Sequence, residues 1–132
     1  MSSFVNDTPA AAPSAVLRHF GEKLGFETDC WAVHEGLKAT EPDFVLIDVR
    51  GSIEFDKGHV PGAINIPYAR IPESLLTRHP RGRTFVVYGA GPHCNRADKA
   101  AILLADFGMP VKIMIRGISG WREEGFALNV SA

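Results

Sequence analysis

The sequence has few cysteines, almost no excess charge and no long apolar run, and each of these absences excludes a class of protein. Two cysteines among 132 residues, without CxxC spacing or clustered histidines, predict neither a disulfide framework nor a metal site. Lys plus Arg total 14 against 15 for Asp plus Glu, so no basic field attracts nucleic acid or an anionic membrane. No uncharged apolar run approaches the ~18 residues of a membrane span, and the N-terminus lacks the pattern of a secretory signal. We therefore expect a cytoplasmic protein without a cofactor, nucleic-acid partner or membrane partner.

What remains is a chain of ordinary globular composition, with 45% apolar and 22% charged residues. Residues 1–13 are rich in Ala, Ser, Pro and Asn and have no hydrophobic period, so we expect a flexible arm. Residues 14–132 contain no repeat or linker and predict a single domain. It begins with an amphipathic helix over residues 14–25, which we expect to pack on the rest of the domain and to end at Gly25.

Three aliphatic runs predict buried strands at residues 44–49, 84–88 and 111–115. A shorter extended piece covers residues 62–67, and a helix that ends at Gly108 separates the second run from the third. Strands that alternate with helices over short connections favour βαβ units. The sequence therefore predicts an α/β domain with a central, mainly parallel sheet and helices on both faces.

The loop at residues 89–95, GAGPHCN, lies between a predicted strand and the clearest helix. Asn95 suits the N-cap and Asp98 suits the first turn, so Cys94 is expected just outside a helix N-terminus. In open α/β sheets, ligands bind at the carboxyl ends of the strands. We therefore expect the chemistry of this protein, if it has any, in this loop.

Cys94 is the candidate nucleophile of this loop. Unpaired amides and the helix dipole attract anions at a helix N-terminus, and a thiol there loses its proton more readily. Arg96 would reinforce the effect or hold an anionic substrate, and His93 would polarise the thiol if the two side chains converged. The alternative is that Cys94 fills the loop as a small hydrophobic residue.

Four motifs occur in the order found in rhodanese domains. They are LIDVR at residues 46–50, EFDKGHVPGAINIP at 54–67, the strand, loop and helix at 86–109, and IRGISGW at 115–121. Over residues 27–128 the chain resembles a rhodanese-like domain. The resemblance implies a three-layer α/β fold and transfer of sulfur through a cysteine persulfide, as in a thiosulfate sulfurtransferase.

The chain departs from that family pattern at the nucleophile. The usual cysteine directly follows the strand, where this chain has Gly89. The loop resembles a branch that reads Cys-x-Gly-x-x-Cys-Asn, in which Cys94 is the second cysteine and only the first is missing. The resemblance implies an anion-binding loop made of Ala90, Gly91, Pro92, His93, Asn95 and Arg96.

Several interpretations of the loop stay open. Cys94 accepts sulfur from a small donor and passes it to an acceptor such as a protein, using the amides of residues 96–98. Alternatively, the scaffold is catalytically inactive and acts as an anion-binding, protein-interaction or regulatory module, and Gly89 relaxes the bend after the strand. A phosphatase loop is disfavoured because only one residue separates Cys94 from Arg96, and a dinucleotide fingerprint is disfavoured because too few strands follow.

Other chemistry-bearing residues have structural interpretations. By the same resemblance, Asp48 and Arg50 form a pair that stabilises the fold near the loop, since buried charges are costly unless paired. His59 is expected to be a hydrogen-bonded turn residue. Cys30 is expected to be a buried structural thiol, and Trp121 a core residue.

Overall fold

The structure is a computed structural model that describes residues 3–71 and 83–131. Its helices are α1 (Pro13–Phe26), α2 (Cys30–Gly36), α3 (Ser52–Lys57), α4 (Arg96–Asp106) and α5 (Gly117–Glu123). Its strands are β1 (Glu27–Thr28), β2 (Phe44–Asp48), β3 (Ile64–Asn65), β4 (Thr84–Tyr88) and β5 (Val111–Met114). Short 3₁₀ turns cover Phe4–Asn6 and Tyr68–Arg70.

The strands form one sheet in the order β1-β5-β4-β2-β3, and each neighbouring pair is parallel. The two central strands, β2 and β4, are buried after the first residue of each strand, and apart from Asp48 at the end of β2 they consist of β-branched, aliphatic and aromatic residues. Such continuous apolar runs are typical of parallel strands that are covered on both faces. The prediction of an α/β domain with a central parallel sheet is confirmed.

Two hydrophobic clusters cover the two faces of this sheet. Phe85 and Val87 of β4 pack with Leu104 of α4 in one cluster. Val86 of the same strand packs with Trp121 of α5 in the other. Because successive residues of a strand point to opposite faces, the alternation in β4 places the helices in two outer layers around the sheet.

The helix α4 ends as the sequence predicts. Gly108 has φ +78°, and its N–H donates to the Ala105 carbonyl at 2.9 Å. The Met109 N–H donates to the Leu104 carbonyl at 3.0 Å. This pair of bonds is a Schellman motif, for which glycine is favoured because it adopts a positive φ without strain.

The N-terminal helix differs from its prediction. It runs over Pro13–Phe26 instead of residues 14–25, and Gly25 lies inside it because the chain continues directly into extended backbone at Glu27. The helix lies beside β1 and β5, yet none of its residues, all within the described range, is buried. The predicted packing is therefore limited to an edge contact. Residues 3–12 are exposed, and the flexibility of the predicted arm stays a prediction.

Candidate functional site

The loop between β4 and α4 lies where the two central strands end. The Val49 N–H donates to the Tyr88 carbonyl at 3.0 Å, which joins the chain after β2 to the last residue of β4. The loop therefore sits at the carboxyl edge of the parallel sheet, the edge where α/β folds bind ligands. Cys94 directly precedes Asn95, the N-cap of α4, as the sequence predicts.

The helix α5 holds the first half of the loop. The N–H groups of Ile118 and Ser119 donate to the carbonyls of Gly89 and Ala90 at 3.0 and 3.1 Å. Gly117 makes this approach possible, since it has φ +53° and a Cβ there would collide with the Gly89 carbonyl oxygen. No local sequence pattern predicts these two hydrogen bonds, because they join segments far apart in the chain.

The second half of the loop closes by a turn of its own, in which the Cys94 N–H donates to the Gly91 carbonyl at 3.0 Å. The imidazole of His93 folds over Gly91, where an added Cβ would lie 3.2 Å from its Nδ1. Within the described residues the Asn95 side chain makes no capping hydrogen bond. Asn95 is thus the N-cap residue, as predicted, but its side chain does not cap the helix.

Gly89, where the resemblance implies a cysteine, faces the start of α4. An ideal Cβ at Gly89 lies 3.7 Å from the Ala97 backbone nitrogen and 4.0 Å from the Cβ atoms of Ala97 and Arg96. These are ordinary van der Waals distances, and Gly89 is not among the glycines with positive φ. A cysteine therefore fits here beside first-turn amides, which have no partner within the helix.

Cys94 lies in an open cleft of about 630 Å³ in front of this helix start. Cys94 itself is half-buried, and its loop neighbours Pro92 and His93 are exposed. The cleft brings together most of the predicted anion-binding loop with residues from three other segments. Its lining residues are Glu54, Tyr68, Ala90, Pro92, His93, Cys94, Asn95, Arg96, Asp98 and Lys99.

The charges of the cleft balance. Arg96 Nη1 lies 3.9 Å from Glu54 Oε1, and both side chains are about half exposed. The Lys99 ammonium lies 5.4 Å from the centre of the Tyr68 ring. With Asp98, the lining holds two cations and two carboxylates. Glu54, Tyr68 and Lys99 also line the cleft, although the sequence did not predict this. Glu54 and Tyr68 come from other segments and reach the cleft only through folding.

Asp48 and Arg50 form a buried ion pair beneath this edge of the sheet. Arg50 Nη2 donates to Asp48 Oδ2 at 2.7 Å and to the Gly58 carbonyl at 2.7 Å, and Arg50 Nε donates to Asp48 Oδ1 at 3.1 Å. Burial alone would lower the pKa of the guanidinium, but the hydrogen bond and charge of Asp48 outweigh it and raise that pKa. The pair connects β2 to the segment after α3, a geometry suited to the structural role expected for it.

Tyr88 occupies the same buried region, and its hydroxyl accepts the Val60 N–H at 3.1 Å. Burial, followed by the charge of Asp48, raises the pKa of this phenol well above its usual value. His59 directly precedes Val60 in the chain. Its Nδ1 is 2.8 Å from the Phe55 carbonyl oxygen, and its ring stacks on the Phe55 ring with 3.7 Å between the ring centres. These contacts of Tyr88 and His59 are with backbone groups and the Phe55 ring, which is typical of residues with a structural role.

Cys30 and Trp121 lie in the core and not in the cleft. Cys30 is 4% exposed and its Sγ donates weakly to the carbonyls of Ile115 and Gly117 at 3.8 and 3.7 Å. Burial raises the pKa of this thiol from 9.0 to about 11. The Trp121 indole N–H donates to the Ala127 carbonyl at 2.9 Å. Both placements agree with the structural interpretation, and in the described residues Cys30 is not part of the Cys94 cleft.

In the part of the chain that the structure describes, no helix combines the length and apolar character that a membrane crossing requires.

Known proteins resemble this chain in sequence and in fold. It is 36% identical over 112 residues to the HTH-type transcriptional regulator Rv0324 of Mycobacterium tuberculosis, covering 83% of this chain and 48% of the regulator. It is 32% identical to the protein YibN of Escherichia coli, covering 65% of this chain and 61% of YibN. The chain thus spans about half to three fifths of the length of these curated relatives.

Among solved structures, the BH2092 protein of Bacillus halodurans superposes with a TM-score of 0.85 at 34% identity, covering 90% of this chain and 87% of that one. The rhodanese-like domain of the Alr3790 protein from Anabaena superposes with a TM-score of 0.68 at 26% identity, covering 79% and 78%. The family described as "Rhodanese-like domain" matches residues 32–124. The chain therefore belongs to the family of rhodanese-like domains.

Proposed function

We propose that this chain transfers sulfane sulfur in the cleft in front of α4, with Cys94 as the acceptor. The observation that supports this proposal best is the unequal placement of the chain's two thiols. Cys94 lines an open cleft directly before a helix N-terminus, whereas Cys30 is buried and has a raised pKa. Family membership adds support, because sulfur transfer is the activity that the resemblance implies.

The proposed reaction has two steps. The Cys94 thiolate attacks the outer sulfur of thiosulfate, a new S–S bond forms, and sulfite leaves with the electron pair of the broken S–S bond. A nucleophile such as cyanide then attacks the terminal sulfur of the persulfide, thiocyanate forms, and the electron pair returns to Cys94 as a thiolate. The amides of the first turn of α4 and the Arg96 guanidinium stabilise negative charge on donor and sulfur.

Intact-mass measurement after incubation with thiosulfate or inorganic polysulfide tests the first step. We expect the wild-type chain to gain one sulfur atom that cyanide removes, and we expect Cys94→Ser to gain none. Cys30 remains in that variant and serves as the internal control for a second thiol. An unchanged wild-type mass, with Cys94 shown by alkylation to be reduced and accessible, contradicts the proposal.

A second candidate function is binding without turnover, and Gly89 is the observation that favours it. Position 89, where the resemblance implies the nucleophile, faces the Ala97 amide nitrogen in the first turn of α4 and carries no thiol here. On this hypothesis the cleft binds a small anion or an acidic segment of a partner protein and performs no chemistry.

Gly89→Cys distinguishes the two functions, with Gly89→Ala as the control that adds the Cβ alone. Thiocyanate production that is absent in the wild type and in Gly89→Ala but present in Gly89→Cys supports the binding function. Cys94-dependent production in the wild type supports sulfur transfer and excludes a purely binding role.

A further inference from the structure

The helix α1 exposes an apolar face that the described part of the domain does not cover. Leu17, Phe20 and Leu24 recur at helical spacing and are 77%, 53% and 71% exposed. A helix of 14 residues is marginal in water by itself, and most helices are stabilised by packing their apolar face. The apolar face of α1 thus indicates a partner that the described residues do not supply.

This face continues into a groove of about 460 Å³ between α1 and the edge of the sheet. Phe20 and Leu24 line it from the helix, and Ile115, after β5, and Ala32 of α2 line it from the domain. The groove is open and mostly apolar, so an apolar side chain from outside has a place to insert. Helix and groove together form one surface, which we call the α1 face.

The area of the α1 face matches what a dimer of this chain requires. At ~150 Å² for each apolar side chain, the lower end of the range for aromatic ones, the exposed fractions of five residues leave roughly 400 Å² of apolar surface per copy. A contact between two such faces, with their polar rims, approaches the ~1,200 Å² in total at which stable interfaces begin. The residues counted are Val16, Leu17, Phe20, Leu24 and Ile115.

The charges around the α1 face also favour a second copy. Its groove is bordered by Lys23 and Lys112 and by Glu27 and Asp29, so the two signs are equal in number. A surface that carries both signs in equal number can place opposite charges against each other across a twofold axis. A nucleic acid or an anionic membrane would instead require an excess of Lys and Arg, which this face does not have.

We infer that two copies of this chain associate through the α1 face, with the two α1 helices packed side by side about a twofold axis. The Cys94 cleft lies at the carboxyl edge of the sheet and contributes no residue to this contact. The dimer is therefore independent of the proposed function, and each cleft stays open to its substrate.

Sedimentation velocity of the wild-type chain over a concentration series tests the inference, together with the variant Leu17→Glu, Leu24→Glu. We expect a dimer in the wild type and a monomer in the variant, because the carboxylates would be desolvated at the contact. Both leucines are exposed, so the variant loses no core, and circular dichroism and the Cys94 reaction report whether its domain is intact.

The matched control is Ala15→Glu, Phe26→Glu, which adds the same two carboxylates to the side of α1 opposite Leu17 and Leu24; Phe26 is exposed and lies outside the groove. We expect this control to remain dimeric. A wild-type chain that is monomeric at all concentrations overturns the inference, and so does a dimer that survives Leu17→Glu, Leu24→Glu. Co-sedimentation of a monomeric wild type with phosphatidylserine vesicles would assign the α1 face to a membrane instead and also overturn it.

Discussion

Glu54 sets the charge of the cleft in which Cys94 lies. Its carboxylate is 3.9 Å from the Arg96 guanidinium and lines the same cleft in front of α4. Exposed ion pairs of this kind contribute only about 0.2–1 kcal/mol, so the pair restrains Arg96 without fixing it. The same carboxylate repels a doubly charged donor, and its removal is expected to favour thiosulfate.

We expect Glu54→Gln to lower the thiosulfate concentration required for half-maximal sulfur loading of Cys94. One exposed charge interaction of about 0.2–1 kcal/mol corresponds to a change of roughly 1.4- to fivefold. The effect should shrink at high salt, because exposed charges are screened. Glu123→Gln is the control, since Glu123 pairs with Arg116 outside the cleft lining. An equal effect of both variants would contradict the role assigned to Glu54.

Cys30 leads to a prediction about how the stability of the fold depends on pH. The pKa of Cys30 is raised in the folded chain from 9.0 to about 11, because burial and nearby carboxylates disfavour its thiolate. A group with a raised folded pKa stabilises the fold fully below its unfolded pKa, and this stabilisation is lost as the pH rises through the folded pKa. Stability should therefore fall between pH 9 and about 11.

Urea unfolding at a series of pH values measures that loss, with Cys30→Ala as the reference that lacks the group. We expect the difference in free energy of unfolding between wild type and variant to decrease over this interval. A difference that stays constant with pH would show that the Cys30 thiolate is tolerated in the core.

At the scale of elements, the contact between the loop and α5 decides the shape of the cleft. Gly117 and Gly125 both have positive φ, at +53° and +76°, but only Gly117 has backbone atoms within reach of an added Cβ. Alanine at either residue would have to adopt a left-handed backbone conformation, which costs about 1–2 kcal/mol. Alanine at Gly117 must in addition displace the loop at Gly89.

We expect Gly117→Ala to destabilise the fold by more than Gly125→Ala and to change the rate at which Cys94 is alkylated or loaded with sulfur. Gly125→Ala should leave that rate unchanged, because no atom of the described residues lies within 4 Å of an added Cβ. Thermal unfolding and alkylation kinetics measure the two effects. Equal alkylation rates in both variants would mean that α5 does not shape the cleft.

The elements also show which parts of this fold a sequence reveals. The buried strands and α4 were predictable because their patterns are local: continuous aliphatic runs, helical spacing, and Gly108 at the helix end. The cleft was predictable only on the side formed by the loop itself. Glu54 and Tyr68 were missed because they come from other segments, and their place beside Arg96 depends on tertiary packing.

At the scale of the whole molecule, one sheet supports two hydrophobic cores. Leu104 of α4 is fully buried in the cluster on one face, and Ile118 of α5 is 3% exposed in the cluster on the other. The two faces share only the backbone of the strands between them, so a cavity on one face removes no side-chain contact from the other. The sequence predicted helices on both faces but not that α5 belongs to the second core.

This separation predicts additive effects of core mutations on opposite faces. Leu104→Ala should cost about 2–5 kcal/mol and Ile118→Val about 0.5–1.5 kcal/mol of unfolding free energy, because each leaves a cavity. Residues without shared partners add to within about 0.5 kcal/mol. Urea unfolding of the two single variants and the double variant measures the coupling, and Leu104→Ala combined with Val87→Ala is the comparison, because those residues share one cluster. A coupling across the sheet as large as that within one cluster would mean that the two faces behave as a single core.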